Sequence, residues 1–352
     1  MCVWMRDGRM EELTPRQQTI LGLVVREYVN SASPVSSRAL VERYGLGVST
    51  ATVRNELAQL EELGYLTHPH TSAGRVPTHQ GYRYFVERLL GEAELPLHER
   101  RTIAHQFHQA RQDFEQWMPL AASVLAHTAR GAALVTAPQP TESRYKHLQL
   151  ISTQGRVVLL ILVLRGGTVK QQMLTLMEPL NQQVLDEASD RLNQLCNGLS
   201  ADEIQARISG LPPFEADVAR LVVDTMHRTD AHAGEPIYRY GLSEVLQQPE
   251  FAEGEKVQGL VRVMEERSFL EAVLADVLSP EVGSVRVLIG GEGRWDELRA
   301  CSLVLARYGV TGFATGALGV VGPTRMLYGR AISAVRFVAG LLSDLVYDVY
   351  AE

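Results

Sequence analysis

The sequence predicts an α+β chain built from several domains, and three observations carry the prediction. Up to about residue 90, apolar residues recur mainly at helical spacing. From Ala132 to Leu176 they fall into short strand-like runs separated by turn residues. From about Glu178 to Glu281 the pattern becomes mostly helical and acidic, and strand character returns at Val285 to Ile289. A length of 352 residues suggests roughly two or three domains rather than one core. With 45% hydrophobic and 21% charged residues, the chain has enough apolar surface for real cores.

The first element opens at Thr14-Pro15-Arg16-Gln17. Thr14 caps the free amides, Pro15 suits the first helical position, and Gln17 reaches back to complete a capping box. Ile20, Leu21, Val24, Val25 and Tyr28 then repeat on one face until Asn30-Ser31-Ala32-Ser33-Pro34 breaks the pattern. A short second helix is expected from about Ser37 to Tyr44, with Ala39, Leu40 and Tyr44 facing inward and Gly45-Leu46-Gly47 as the turn. Residues 1 to 9 precede the patterning and are assigned no function.

The third helix, STATVRNELAQLEELGYL, lines up Val53, Leu57, Leu60 and Leu63 as its buried stripe. Its opposite flank carries Ala51, Arg54, Asn55, Ala58 and Glu62. Two short helices joined by a glycine turn suggest a helix-turn-helix, whose second member enters the major groove by its first turns. There Arg54 suits guanine and Asn55 suits adenine, since each can form paired hydrogen bonds to that base. Ser49, Thr50 and Thr52 would meet phosphates, Ala51 allows close approach, and Ser37 and Arg38 at the start of the second helix complete the expected DNA face.

Gly64-Tyr65-Leu66-Thr67 reads as the start of a strand, followed by the polar loop HPHTSAGRVPT and a further helix at GYRYFVERLL. This is the pattern of a wing, with Arg75 expected near its tip. Arg75 would enter a minor groove or meet a phosphate there, or else remain a solvated turn residue. Arg83 either adds a DNA-backbone contact or pairs with Glu87 one helical turn on.

The segment STATVRNELAQLEELGYLTHPHTSAGRVPTHQGYRYFV resembles the start of the HrcA family of heat-inducible transcription repressors. Far downstream, IGGEGRWDELRACSLVLARYGVTGFATGALGVVGPTRMLYGRAISAVRFV is similar to that family's C-terminal signature, and Gly319-Val320-Val321-Gly322-Pro323-Thr324-Arg325-Met326 is its most specific piece. The resemblance implies a winged helix-turn-helix DNA-binding domain at residues 1–90. It further implies a GAF-like antiparallel-sheet domain in two parts, 91–177 and 284–352, interrupted by an inserted, mostly helical dimerisation domain at 178–283. It also implies a function: repression of chaperone operons through the inverted-repeat operator CIRCE, by a homodimer whose activity the chaperonin GroEL maintains. An inverted repeat asks for two-fold symmetry in the protein, so dimerisation follows from the DNA geometry too.

The middle of the sequence accommodates this organisation. A helical stretch spans His98 to Arg130, and strands are expected at Ala132 to Thr136, His147 to Ser152, Val157 to Leu164 and Val169 to Leu176. Turns at Gln154-Gly155 and Gly166-Gly167 would join them into one antiparallel sheet, in which the run Val157 to Leu164 suits a buried strand. The helical stretch after Glu178 is broken at Pro212-Pro213 and at the HAGEP segment. The last helix is expected from Met326 to about Tyr350, so that Arg325 at its start either bridges domains or the dimer partner, or belongs to a motif that only fixes the turn.

Charge and motifs narrow the function further. The net charge is -7, yet residues 1–90 hold ten Arg and nine acidic residues, a balance of +1. DNA affinity must therefore come from placed arginines and helix N-terminal amides rather than a broad positive field. Cys2, Cys196 and Cys301 are widely spaced, without the pairing of a zinc site, and read as reduced bystanders; no metal or cofactor is expected. Phosphate-loop, zinc-protease and nucleophile-elbow motifs are absent, so an enzyme is not expected. No apolar run has the length of a membrane span or signal peptide, which predicts a cytoplasmic protein. The alternative reading is a winged-helix regulator sensing a small molecule through its GAF-like domain.

Overall fold

The computed structural model describes residues 12–69, 74–110, 114–140, 143–165, 168–231, 237–251 and 254–350. The extension at residues 1–9, the wing residues 70–73, the Gly166-Gly167 turn and the HAGEP segment lie outside them. The fold is α+β, with helices and antiparallel sheets in two compact units. The first comprises Met1–Ala137, Ile237–Tyr308 and Gly316–Leu342, and the second Pro138–Pro236, Gly309–Thr315 and Ser343–Glu352.

The first unit begins with α1 (Pro15–Ser31), α2 (Ser37–Tyr44) and α3 (Thr50–Glu62). The α1 capping box forms as the sequence predicts: Gln17 N donates to Thr14 Oγ1 at 3.3 Å, and Thr14 N donates to Gln17 Oε1 at 3.0 Å. Ala32 ends the helix in the left-handed conformation with φ 51°. Ile20, Leu21, Val24 and Val25 of α1 meet Leu40 of α2 and Val53, Leu57 and Leu60 of α3, all buried. Tyr44, expected inward, is instead 40% exposed in the last turn of α2 and donates its hydroxyl to Glu27 at 2.5 Å.

Strands β1 (Leu66–Thr67) and β2 (Val76–Pro77) pair antiparallel, followed by α4 (His79–Tyr84) and a π-helical turn at Phe85–Leu89. Helices α5 (Leu97–Gln109) and α6 (Phe114–Ala129) lead to β3 (Ala132–Thr136) and the short β4 (Gln139–Pro140). The remaining members of the main sheet are β8 (Ile237–Tyr240), β9 (Val285–Ile289), β10 (Cys301–Val310) and β11 (Ala314–Pro323), in the order β8-β3-β11-β10-β9 with β4 on β11. One face of this sheet packs its Leu134, Leu303 and Leu305 against α10 (Leu242–Leu246), α11 (Gly254–Glu265) and α12 (Arg267–Val277). The other face carries Ser302 and Tyr308, which meet Tyr328 at the start of α13 (Tyr328–Tyr350) and Met118 in α6. Cys301 of β10 is free and buried, and burial pushes its thiol up to about 12.

The second unit holds a separate antiparallel sheet, β5 (Tyr145–Gln154), β6 (Val157–Leu164) and β7 (Val169–Thr175), with α7 (Gln182–Cys196), α8 (Ala201–Gln205) and α9 (Pro213–Ala231). The four strands expected in one sheet are thus divided between two. Ala132 to Val135 are buried on both faces, as a central strand must be, and β3 accordingly lies between β8 and β11. Strand β6 instead alternates: Val158, Leu160, Leu162 and Leu164 join Leu185, Leu192 and Val222 in the core. Its Val157, Leu159, Ile161 and Val163 stay half-buried on the opposite face, so the strand is covered on one side only. Because β5–β7 pack with α7–α9, and β8 returns to β3, the longest segment of this unit runs from Pro138 to Pro236 and does not share the bounds of the expected 178–283 insertion.

Candidate nucleic-acid interface

Helix α3 follows Ser49, whose hydroxyl accepts from Thr52 N at 3.1 Å and lies 2.9 Å from Thr52 Oγ1. This cap occupies one of the orphan amides at the helix start and fixes how the first turns leave the preceding loop. With Val53, Leu57 and Leu60 buried, helical geometry leaves Ala51, Arg54 and Asn55 exposed on the outer flank. Among the described residues, neither Arg54 nor Asn55 has a side-chain partner. A guanidinium and a carboxamide thus stand adjacent and uncommitted in the first turns of α3. Thr50 and Thr52 are half-buried beside them.

The second helix is arranged differently from the prediction. Ser36 is its exposed N-cap, accepting from Ala39 N at 3.1 Å, whereas Ser37 is 9% exposed and does not face outward. Sequence reasoning missed Ser36 because two adjacent serines offer the same cap chemistry, and only the burial of one separates them. Arg38 is open to solvent at 82% side-chain exposure, holding Glu42 at 2.7 Å along the helix. Exposed pairs of this kind are worth little, so the guanidinium remains available to a phosphate.

Arg75 does not sit at the wing tip. Its backbone pairs with Val35 just ahead of α2, through Val35 N to Arg75 O at 2.9 Å and Arg75 N to Val35 O at 2.8 Å. Its Nη2 reaches Glu61 Oε2 at 2.7 Å, and the same carboxylate holds His68, the residue after β1. Glu61 near the end of α3 therefore ties both sides of the wing base to the helix that carries Arg54, a role with no signature in local sequence. Gly74 makes the approach possible, since a Cβ there would lie 2.4 Å from the Val35 backbone.

Arg83 is also displaced from the expected DNA face. Its guanidinium pairs with Glu292 and lies 3.9 Å from Glu87, with only 21% of the side chain exposed. Burial lowers the Arg83 pKa and raises that of Glu87, each partly offset by the charge of the other. The structure therefore gathers Ser49, Ala51, Arg54 and Asn55 on one outer surface, with Thr50 and Thr52 at its edge, and withdraws Arg83 from it.

The family model described as HrcA protein C terminal domain matches residues 115–332, and the model of the LexA DNA binding domain matches residues 10–74. The chain belongs to the HrcA family. A heat-inducible transcription repressor HrcA of Roseiflexus castenholzii is 46% identical over 347 residues, covering 96% of each chain. The HrcA of Herpetosiphon aurantiacus is 45% identical, covering 97% of each. A solved structure titled as a hypothetical protein aligns with a TM-score of 0.59 at 24% identity, covering 96% of this chain and 98% of that one. That last likeness establishes the shared fold. The chain is thus an HrcA-family heat-shock transcription repressor whose N-terminal segment matches a DNA-binding domain, and helices α1–α3 lie within that segment.

Proposed function

We propose that the protein represses chaperone operons by binding an inverted-repeat operator of the CIRCE type as a homodimer, with GroEL keeping it in its binding form. The observation that carries the DNA part is the uncommitted Arg54–Asn55 pair on the capped, exposed turns of α3. Ser49, Thr50, Thr52, Ser36 and Arg38 supply phosphate contacts around it, and Ala51 lets the helix approach the bases.

Support for the homodimer lies in the second unit. Ile151, Leu159 and Met173 stand in register across β5, β6 and β7 on the sheet face opposite α7–α9. Met173 is 57% exposed, and Ile161 and Val163 extend the same apolar strip. A second copy laid on this face by a two-fold axis would remove it from water and present two DNA-binding modules to two half-sites. The chaperonin link rests on family membership.

The test is a gel-shift titration of full-length protein on an inverted-repeat duplex and a scrambled duplex, with and without chaperonin. The expected result is preference for the inverted repeat, strengthened by chaperonin, and affinity that falls as salt rises. Equal binding to both duplexes at moderate salt, with chaperonin present, would overturn the reading.

A further inference from the structure

The DNA-binding surface makes no use of Arg325, although it lies in the most specific motif of the sequence. Its Nε and Nη2 grip both carboxylate oxygens of Glu250, the second at 3.2 Å, and Nη2 also donates to Gln248 Oε1 at 2.8 Å. The third nitrogen, Nη1, donates to the carbonyl of Val29 at 3.3 Å. Val29 lies near the end of α1, where helical carbonyls lack intrahelical donors and favour a cation. Helix α1 has no basic residue in its own last turn, so a guanidinium from the far end of the chain fills that place. Only 14% of the Arg325 side chain is exposed.

The same joint is crossed in the other direction by Arg83 of α4, which holds Glu292. Glu292 in turn accepts from Ile289 N at 3.2 Å, at the end of β9. Between these two struts the buried Tyr82 packs on Tyr328, ring centroids 5.9 Å apart. His79 lies so close to Gly290 that a Cβ there would meet its ring at 2.5 Å. The module carrying α3 is thus held by opposed arginines around an aromatic contact, rather than hanging from a tether.

We propose that Arg325 is a positioning residue for operator binding: by fastening the end of α1 to Gln248 and Glu250, it fixes how each copy presents α3 and thereby which half-site spacing the dimer accepts. This rests on the dimeric operator reading above. Two rigidly held modules engage only half-sites at matching distance and rotation, whereas loosened modules trade that selectivity for reach.

The experiment compares full-length wild type with R325Q, R325K and E250Q on three duplexes. These are the inverted repeat at its natural spacing, the same repeat with about 5 base pairs inserted, roughly half a turn of DNA, and a single half-site. Wild type should lose about tenfold or more in affinity on the shifted duplex, as its second module faces the wrong side. R325Q and E250Q should bring the two spacings to within about threefold of each other, chiefly by weakening the natural one, while the single half-site is bound as by wild type. R325K, which keeps the charge but loses the two-pronged grip, should fall between. E250Q removes the same link from the other partner and keeps the test open should R325Q unfold. Retention of the wild-type spacing ratio by R325Q or E250Q overturns this inference alone. Failure of wild type to distinguish the inverted repeat from scrambled DNA overturns the operator reading, and this inference with it.

Discussion

Arg54 and Asn55 are neighbours in sequence with different tasks, since a guanidinium fork matches the two acceptors of guanine and a carboxamide matches the donor and acceptor of adenine. Removing either should cost about 1–3 kcal/mol of operator affinity and relax base preference at one position. Titrating Arg54→Ala and Asn55→Ala against a set of singly substituted operators reads both effects; wild-type affinity and preference in both variants would defeat the assignment. That these two face outward was legible from sequence, because the buried stripe of α3 dictates the opposite flank. The position of Arg75 was not, and that of Arg83 only in part: helical period offered its pairing with Glu87, which forms, but carries no information about Glu61 beside Arg75 or Glu292 beside Arg83.

Elements were legible in proportion to how local their causes are. Helix α1 starts where Thr14, Pro15 and Gln17 require, since all three act within one turn. Thr14→Ala removes the side-chain acceptor for Gln17 N and should destabilise the DNA-binding module by about 1 kcal/mol. The change would be read as a lower urea midpoint, followed by a probe within that module; an unchanged midpoint would show that solvent replaces the cap without loss. Strand partners were less legible than strand positions. The run at Val157 to Leu164 announces a strand, but nothing nearby tells that β3 pairs with β8 and β11 rather than with β5. What separates them is whether both faces or one face is covered, a property of the packed whole that appears in sequence only as alternation in β5 and as a short unbroken apolar run in β3.

At the scale of the whole molecule, the sequence conveyed an α+β chain with an interruption, while the limits of the interruption emerged only when the β5–β7 sheet joined α7–α9 in one core. That core also supplies the sharpest test of assembly. Leu159 lies mid-strand on the half-open face, between Ile151 and Met173, and outside the core of its own unit. A carboxylate there remains hydrated in a single copy, so Leu159→Glu should fold. In a dimer closed over this face, two-fold symmetry would bury a pair of like charges in an apolar contact, at a cost large enough to separate the copies. Sedimentation should therefore show a monomer, with intact binding to a single half-site and loss of the added affinity for the inverted repeat. A Leu159→Glu chain that still sediments as a dimer and keeps the full inverted-repeat advantage would mean that the copies pair through a different surface.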